Sequence, residues 1–254
     1  MTTPRERLSA IRHGDLAFHN PLDPAVVDEV LDVAGLVPDD RAVDLGCGPG
    51  ELLVRLAERT GCGGLGVDLA TAQIEEARRR AAARAPDAGL EFRAVDAGEV
   101  EGEFALSACV GSTHALGGLD VALARLAQLT RPGGHVLLGD GFWAREPSDA
   151  YLEALGGATR DELPDFAGLV RAGEPHGLIA VYVRVAGEAD WERYEWTLTA
   201  NGERFLAEHP DAPEAEGLRE WNDSSRDRIL SPGGRDTMGF ALVLLRRGVS
   251  APSG

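Results

Sequence analysis

Lysine is absent from this chain of 254 residues, so its 25 basic residues are all arginine. Acidic residues number 42, and the formal net charge is −17 at pH 7. Nucleic-acid backbones and anionic membrane surfaces are bound by basic protein surfaces, which this charge balance does not favour. We therefore predict neither nucleic acid nor membrane as a partner.

Cysteine is scarce, and Cys47, Cys62 and Cys109 show no paired spacing. That pattern argues against a disulfide framework and a zinc site, and it predicts a protein of the reducing cytoplasm. Long hydrophobic runs are also missing, because no apolar stretch reaches membrane-spanning length. The first ten residues are polar, so no signal peptide is visible.

Strand-like and helix-like patterns alternate along most of the chain. Strands are predicted at 41–45, 64–67, 90–95, 104–110, 135–139, 177–185 and 237–246. Helices are predicted at 24–34, 51–59, 71–85 (capped by Thr71), 119–129, 148–156 and 165–172, and residues 188–232 are mostly helical. A turn at residues 131–134 precedes the fifth strand. This order predicts an α/β protein with a mostly parallel, doubly wound sheet.

The most informative motif is the glycine-rich loop after the first strand. Residues 43–50 have the sequence Val-Asp-Leu-Gly-Cys-Gly-Pro-Gly, and a helical pattern follows. A strand, a tight turn and a helix N-terminus in this order hold nucleotide-like ligands in open α/β sheets. A dinucleotide fingerprint requires another glycine where this chain has Glu51. Together with Asp44, Glu51 would repel a pyrophosphate and attract an ammonium group, which favours S-adenosylmethionine over NAD.

Acidic residues also end the second and third predicted strands. Asp68 is placed to accept hydrogen bonds from both hydroxyls of a ribose. The ribose of NAD would fit this carboxylate equally well, so Asp68 does not discriminate between the two ligands. Asp96 could accept a hydrogen bond from the exocyclic amine of adenine, while the backbone N–H of Ala97 donates one to a ring nitrogen. Alternatively, Asp96 caps a short helix at residues 98–100, and both roles are compatible.

The fourth strand ends in Val110-Gly111-Ser112-Thr113-His114. Gly111 permits a close backbone approach, and carbonyl groups here could face a positively charged sulfur. Ser112 and Thr113 are expected to line an acceptor pocket. His114 is the candidate general base, because imidazole titrates near neutral pH, or it lines the pocket without exchanging protons.

These residues together resemble the class I S-adenosylmethionine-dependent methyltransferases, over roughly residues 25–140. The resemblance implies a Rossmann-like sheet of seven strands with the last strand antiparallel, an N-terminal helical segment and a late helical insertion. It implies a methyltransferase domain over residues 25–247, an insertion at about 188–232 and a tail at 248–254. The cofactor contacts are predicted to come from Asp44, Gly46, Cys47, Gly48, Gly50, Asp68, Leu69, Asp96, Ala97, Val110 and Gly111.

In enzymes that this chain resembles, a segment such as residues 1–24 often folds over the cofactor as a lid. Phe18 and Asn20 would then lie near the methionine end of the cofactor; local packing of an N-terminal arm is the alternative. Trp143 follows the fifth strand and either forms an aromatic wall of the acceptor pocket or belongs to the core. Trp191 and Trp196 are assigned to the core under the late helices.

Motifs of other methyltransferase classes that this chain lacks limit the kinds of acceptor that it is expected to methylate. The motif of many nucleic-acid base methyltransferases, the aspartate of magnesium-dependent catechol-type enzymes and the paired glutamates of protein arginine methyltransferases are all missing after strand four. We therefore predict metal-independent transfer to an oxygen or nitrogen of a small molecule, with carbon and sulfur acceptors left open. A non-catalytic S-adenosylmethionine-binding partner or regulator is the alternative. A NAD-dependent oxidoreductase with a Tyr/Lys pair is excluded by the lack of lysine.

Overall fold

The computed structural model describes residues 3–14 and 16–249. Met1, Thr2, Asp15 and residues 250–254 lie outside that description, and with them parts of the predicted lid segment and most of the predicted tail.

Nine α-helices and seven strands run through the described residues. The helices are α1 (Pro4–His13), α2 (Pro24–Ala34), α3 (Glu51–Thr60), α4 (Thr71–Arg84), α5 (Leu119–Leu129), α6 (Asp149–Ala154), α7 (Phe166–Arg171), α8 (Glu188–Glu208) and α9 (Ala215–Leu230). The strands are β1 (Arg41–Leu45), β2 (Gly63–Val67), β3 (Leu90–Arg93), β4 (Phe104–Val110), β5 (Thr130–Trp143), β6 (Leu178–Val185) and β7 (Met238–Arg247).

The strands form one sheet in the order β3-β2-β1-β4-β5-β7-β6. Strands β1 to β5 pair in parallel, and β7 is antiparallel to β6. The predicted fold class is therefore confirmed. Residues 104–109 of the central strand β4 are all buried, as expected for a strand covered on both faces.

The chain divides into two compact units. The sheet unit comprises Pro24–Asp140, Ala167–Val185 and Ala241–Gly254. Its core is formed by fully buried aliphatic side chains of neighbouring strands, including Val43, Leu106, Leu137 and Leu242. Parallel strands that meet at one edge of this unit place their following loops together, and that edge holds the site described below.

The helical unit comprises Met1–Asp23, Gly141–Phe166 and Ala186–Phe240. Leu8 and Ile11 of α1 pack against the buried Leu206 and Leu218 of α8 and α9. Arg12 is buried beside them, where it lies 4.7 Å over the ring of Trp221 and donates to the Ser225 hydroxyl at 2.8 Å. A second cluster is formed by Trp143, Tyr151 and Leu152.

Three local predictions were wrong. Residues 131–134 do not form a turn before β5 but an irregularity within it, since Phe104 pairs with Thr130 and Leu106 with His135. Thr71 is the first residue of α4 rather than its cap; the N-cap is Ala70, without a side-chain cap hydrogen bond. Trp196 is 43% exposed and therefore does not belong to the core.

Candidate active site

A cavity of about 460 Å³ lies in the sheet unit at the carboxyl ends of β1 to β4. Residues predicted for the site make up half of its lining, namely Gly46, Asp68, Leu69, Asp96, Ala97, Ser112 and His114. Its volume is within the range of small-molecule and cofactor sites, roughly 300–1,000 Å³.

The glycine loop owes its course to three left-handed glycines. Gly46, Gly48 and Gly50 have φ angles of 74°, 51° and 75°, a region that other residues rarely adopt. At Gly48 no described atom lies within 4 Å of where a Cβ would stand, so space for a ligand remains beside the backbone. At Gly50 a Cβ would meet Ala77 Cβ and Phe92 Cε1 at 2.7 Å, so this glycine serves helix and strand packing.

Gly46 is in contact with the loop that follows β4. A Cβ at position 46 would stand 2.5 Å from Ser112 Cβ, and the Ser112 hydroxyl donates to the Gly46 carbonyl at 3.2 Å. The Ser112 side chain thus binds the glycine loop. Cys47, also predicted for the site, is buried, and burial raises the pKa of its thiol.

Asp68 is held by the backbone on both of its carboxylate oxygens. Oδ2 accepts from Gly48 N–H and Oδ1 from Ala70 N–H, each at 2.9 Å. Each oxygen retains a further lone pair, and the side chain lines the cavity. The arrangement fixes an acceptor for hydroxyl groups at the place where the sequence predicts ribose recognition.

Asp44 lies fully buried within β1. Burial, followed by the charge of Asp68, raises its pKa from 3.8 to about 7. A buried carboxylate without a compensating charge is costly, so a cation nearby would favour its ionised form.

Glu51 does not serve the role that the sequence suggested. It is buried, forms an ion pair with Arg55 at 2.9 Å, and accepts hydrogen bonds from Arg80 at 3.2 Å and Arg84 at 2.7 Å. These arginines belong to α3 and α4, so the carboxylate joins two helices. The expectation that Glu51 attracts a ligand ammonium group is wrong.

Asp96 caps the short 3₁₀ helix Ala97–Glu99, with Oδ1 accepting from Gly98 N–H at 2.7 Å. The capping alternative is therefore confirmed, and Oδ2 is not engaged in that bond. Arg125 of α5, which sequence reasoning missed, also lines the cavity. Its guanidinium donates to the carbonyls of Ala97 at 3.3 Å and Gly98 at 3.2 Å, and to that of Val100.

Two exposed apolar side chains line the cavity, Leu69 and Val121 of α5. They offer apolar contact to a flat ligand surface that lies between them.

The loop after β4 brings several predicted residues to the cavity. Gly111 has a φ of 75°, and its N–H donates to the Gly139 carbonyl at 2.7 Å. His114 is exposed and lines the cavity. Thr113 is buried, and its hydroxyl donates to Asp140 Oδ2 at 2.5 Å, so its hydrogen-bonding capacity is used within the unit.

Phe18, Asn20 and Trp143 belong to the helical unit. Trp143 is buried in the cluster with Tyr151, and its indole N–H donates to the Arg160 carbonyl at 2.8 Å, which favours the core alternative. The roles of Phe18 and Asn20 toward a cofactor stay predictions.

In residues 3–14 and 16–249 no group of three or more His, Cys, Asp or Glu side chains could hold a metal ion. The three cysteines are free and buried. No helix of the described chain is both long enough and apolar enough to cross a membrane.

The chain is similar in sequence to a methyltransferase family model and to two bacterial proteins. Residues 42–134 match a family model described as a methyltransferase domain. The chain is 31% identical over 208 residues to YjhP of Escherichia coli K12, an uncharacterized protein, covering 81% of this chain and 84% of YjhP. It is 29% identical over 202 residues to 27-O-demethylrifamycin SV methyltransferase of Amycolatopsis mediterranei, covering 74% and 68% of the two chains.

Solved structures are similar over nearly the whole chain. One is a SAM-dependent methyltransferase of Thiobacillus denitrificans in complex with S-adenosyl-L-homocysteine. It shares 29% identity and a TM-score of 0.87, with 96% of this chain and 99% of the other covered.

Proposed function

This chain belongs to the class I S-adenosylmethionine-dependent methyltransferases, and from that premise we propose that it methylates an oxygen or nitrogen atom of a small molecule. It is an enzyme, and S-adenosylmethionine is its methyl donor. The observation that carries the proposal is the cavity at the carboxyl ends of β1 to β4, which is lined by five of the predicted donor-binding residues and by His114, the five being Gly46, Asp68, Leu69, Asp96 and Ala97.

The residues of the cavity fit an adenosyl group with an amino-acid tail. The open space beside Gly48 admits a ligand close to the backbone, and Asp68 presents fixed carboxylate oxygens to hydroxyl groups. Asp96 and the N–H of Ala97 offer an acceptor and a donor to the adenine edge. Leu69 and Val121 provide apolar contact for its faces.

The amino-acid tail is assigned to Asp44 and the glycine loop. A ligand ammonium group would lower the high pKa of Asp44, because a neighbouring positive charge favours the carboxylate. Phe18 and Asn20 are proposed to contact the methionine end, as in the lid arrangement expected from the sequence.

When bound, the donor supplies an electrophilic methyl group on a positively charged sulfur, so no metal is required for activation. The protein's task is then to hold the acceptor in line and to exclude water. The carbonyl groups of Val110 and Gly111 are proposed to face the positive sulfur. His114 is proposed to take the acceptor's proton where that proton must leave.

The proposal is tested by titration calorimetry of the purified protein with S-adenosylhomocysteine and with NAD, and by transfer of a labelled methyl group to the small-molecule fraction of a cell extract. Binding of S-adenosylhomocysteine with transfer is expected. His114→Ala should keep S-adenosylhomocysteine affinity and lose turnover.

Binding without transfer to any fraction would favour the non-catalytic alternative. Affinity for NAD in place of S-adenosylhomocysteine would overturn the assignment of the site.

A further inference from the structure

The 3₁₀ helix Ala97–Glu99 is too short to hold its own conformation firmly. Its backbone bonds run from the Glu99 N–H to the Asp96 carbonyl at 3.0 Å and from the Val100 N–H to the Ala97 carbonyl at 3.4 Å. Hydrogen bonds of this kind have poorer geometry than those of an α-helix. Asp96 and Ala97 nevertheless line the cavity, so their positions depend on support from another element.

A single side chain of α5 supplies that support. Arg125 donates from Nε to the Ala97 carbonyl at 3.3 Å, and from Nη2 to the Gly98 carbonyl at 3.2 Å and to the Val100 carbonyl. A guanidinium carries five N–H donors in one rigid plane, so one arginine can engage several carbonyl groups of the same turn. The turn is therefore tied to α5 at three of its residues.

The peptide unit between Ala97 and Gly98 is held at both ends. Its carbonyl accepts from Arg125 Nε, and its N–H donates to Asp96 Oδ1 at 2.7 Å. A Cβ at position 98 would stand 2.9 Å from Asp96 Oδ1, so a glycine at this position leaves the carboxylate room to reach the N–H. The orientation of the Asp96 carboxylate is thus linked to Arg125 through one peptide unit.

We propose that Arg125 is a positioning residue that gives this cavity its preference for an adenine base. By holding the peptide unit between Ala97 and Gly98, Arg125 orients the Asp96 carboxylate toward the exocyclic amine of the base. A base with an oxygen in place of that amine offers no donor to a carboxylate held in this orientation, and it is rejected. This inference rests on the proposed function, because it concerns the adenosyl group of the methyl donor.

The probes are S-adenosylhomocysteine and S-inosylhomocysteine, which differ only in whether the base carries an amine or an oxygen. Titration calorimetry on the full chain measures both affinities, and the wild type is expected to bind S-adenosylhomocysteine more tightly. Arg125→Gln should weaken S-adenosylhomocysteine binding about five- to tenfold, the scale of a lost hydrogen bond. The affinity for S-inosylhomocysteine should stay within about twofold, so the ratio of the two affinities falls.

The ratio separates positioning from a general structural role, and Arg78→Gln is the matched control. Arg78 also joins a helix to a backbone carbonyl of the sheet unit, donating to the Phe92 carbonyl at 2.7 Å, but it does not line the cavity. Its replacement should leave the ratio of affinities unchanged, whatever its effect on the melting temperature. Arg125→Lys is used in place of Arg125→Gln if the latter does not fold, because an ammonium group lacks the planar fork that engages several carbonyls.

A double variant tests whether Arg125 acts through Asp96. Asp96→Ala removes the carboxylate that Arg125 is proposed to orient. Adding Arg125→Gln to Asp96→Ala should therefore weaken S-adenosylhomocysteine binding by less than about a further twofold. Independent roles would instead multiply the two losses.

The inference is overturned if the wild type does not prefer S-adenosylhomocysteine, if the Arg125 variant lowers both affinities by the same factor or neither, or if the losses multiply in the double variant. In each of these cases binding of S-adenosylhomocysteine by the wild type leaves the proposed function standing. If the wild type binds neither ligand, the proposed function fails and this inference fails with it.

Discussion

At the scale of single residues, the proposed donor site contains carboxylates that accept hydrogen bonds from backbone N–H groups. Asp68 accepts from two N–H groups and Asp96 from one. Backbone donors hold these side chains in place before any ligand arrives, so little conformational entropy is lost on binding. The same contacts explain why a short carboxylate, rather than glutamate, stands at both positions.

Asp68→Ala and Asp96→Ala should each weaken S-adenosylhomocysteine binding by roughly 1–3 kcal/mol, because each removes a hydrogen-bond acceptor from the cavity. Calorimetry measures the change. Glu99→Ala is the matched control: Glu99 is an exposed acid of the same 3₁₀ helix and does not line the cavity. Full affinity in both aspartate variants would show that the ligand binds elsewhere.

Asp44 makes the stability of the protein depend on pH. Its pKa is about 7 in the folded protein and near 3.8 in the unfolded chain, so the folded state holds an extra proton between those values. The free energy of unfolding should therefore fall as pH rises from about 4 to about 7. Asp44→Asn should remove this loss, which amounts to roughly 4 kcal/mol at most.

Urea denaturation of both proteins at about pH 4 and about pH 8 measures the difference, which should appear only at the higher pH. S-adenosylhomocysteine affinity should rise over the same range in the wild type and stay flat in the variant, since the ionised carboxylate is the form that attracts an ammonium group. A variant less stable than the wild type at pH 8 would contradict the prediction.

At the scale of elements, Glu51 joins α3 to α4 through arginines of both helices. It is 5% exposed as a residue, and a buried carboxylate with several charged partners contributes more than a surface ion pair. Glu51→Gln should lower the free energy of unfolding by about 1–3 kcal/mol.

Glu58→Gln is the control for that prediction, because Glu58 pairs with Arg84 on the same helices but with a side chain 36% exposed. Its loss should cost less than about 1 kcal/mol. Equal losses in the two variants, measured by urea denaturation, would show that burial of Glu51 contributes nothing.

Most helices and strands lie close to where the sequence predicts them, and the departures from those predictions have local causes. Helix α2 and strand β4 have the predicted bounds, because a helical apolar stripe and an uninterrupted apolar run leave few alternatives. Strand β5 begins earlier than predicted. Its proline and glycines at 132–134 predicted a turn, but the pairing with β4 continues past them through an irregularity. Helix α1 was not placed by apolar periodicity, although Thr3 and Glu6 form a capping box at its start.

The contacts of the site residues were harder to predict than the helices and strands, because the local sequence pattern does not show which side chain of a distant element a residue will contact. Asp68 and Asp96 line the cavity, as expected from their positions at the ends of predicted strands, and their roles toward the donor stay predictions. The sequence suggested a role toward the ligand for Glu51, whereas its arginine partners include two from α4. The sequence did not single out Arg125, because it resembles any charged residue of an amphipathic helix.

At the scale of the whole molecule, the chain divides into a sheet unit and a helical unit, each with its own core and its own cavity. Residues 42–134, which match the methyltransferase family model, lie in the sheet unit, whereas the similarity to solved structures covers 96% of the chain. The helical unit carries all four tryptophans, Trp143, Trp191, Trp196 and Trp221. The similarity to known methyltransferases therefore extends beyond the stretch that carries the glycine loop.

The contact between Gly46 and Ser112 links two loops that serve different partners. One follows β1 and is assigned to the donor, and the other follows β4 and leads to His114. Any side chain at position 46 would collide with Ser112 and push the two loops apart. A substitution at Gly46 is therefore expected to disturb both loops at once, the glycine loop and the loop that leads to His114.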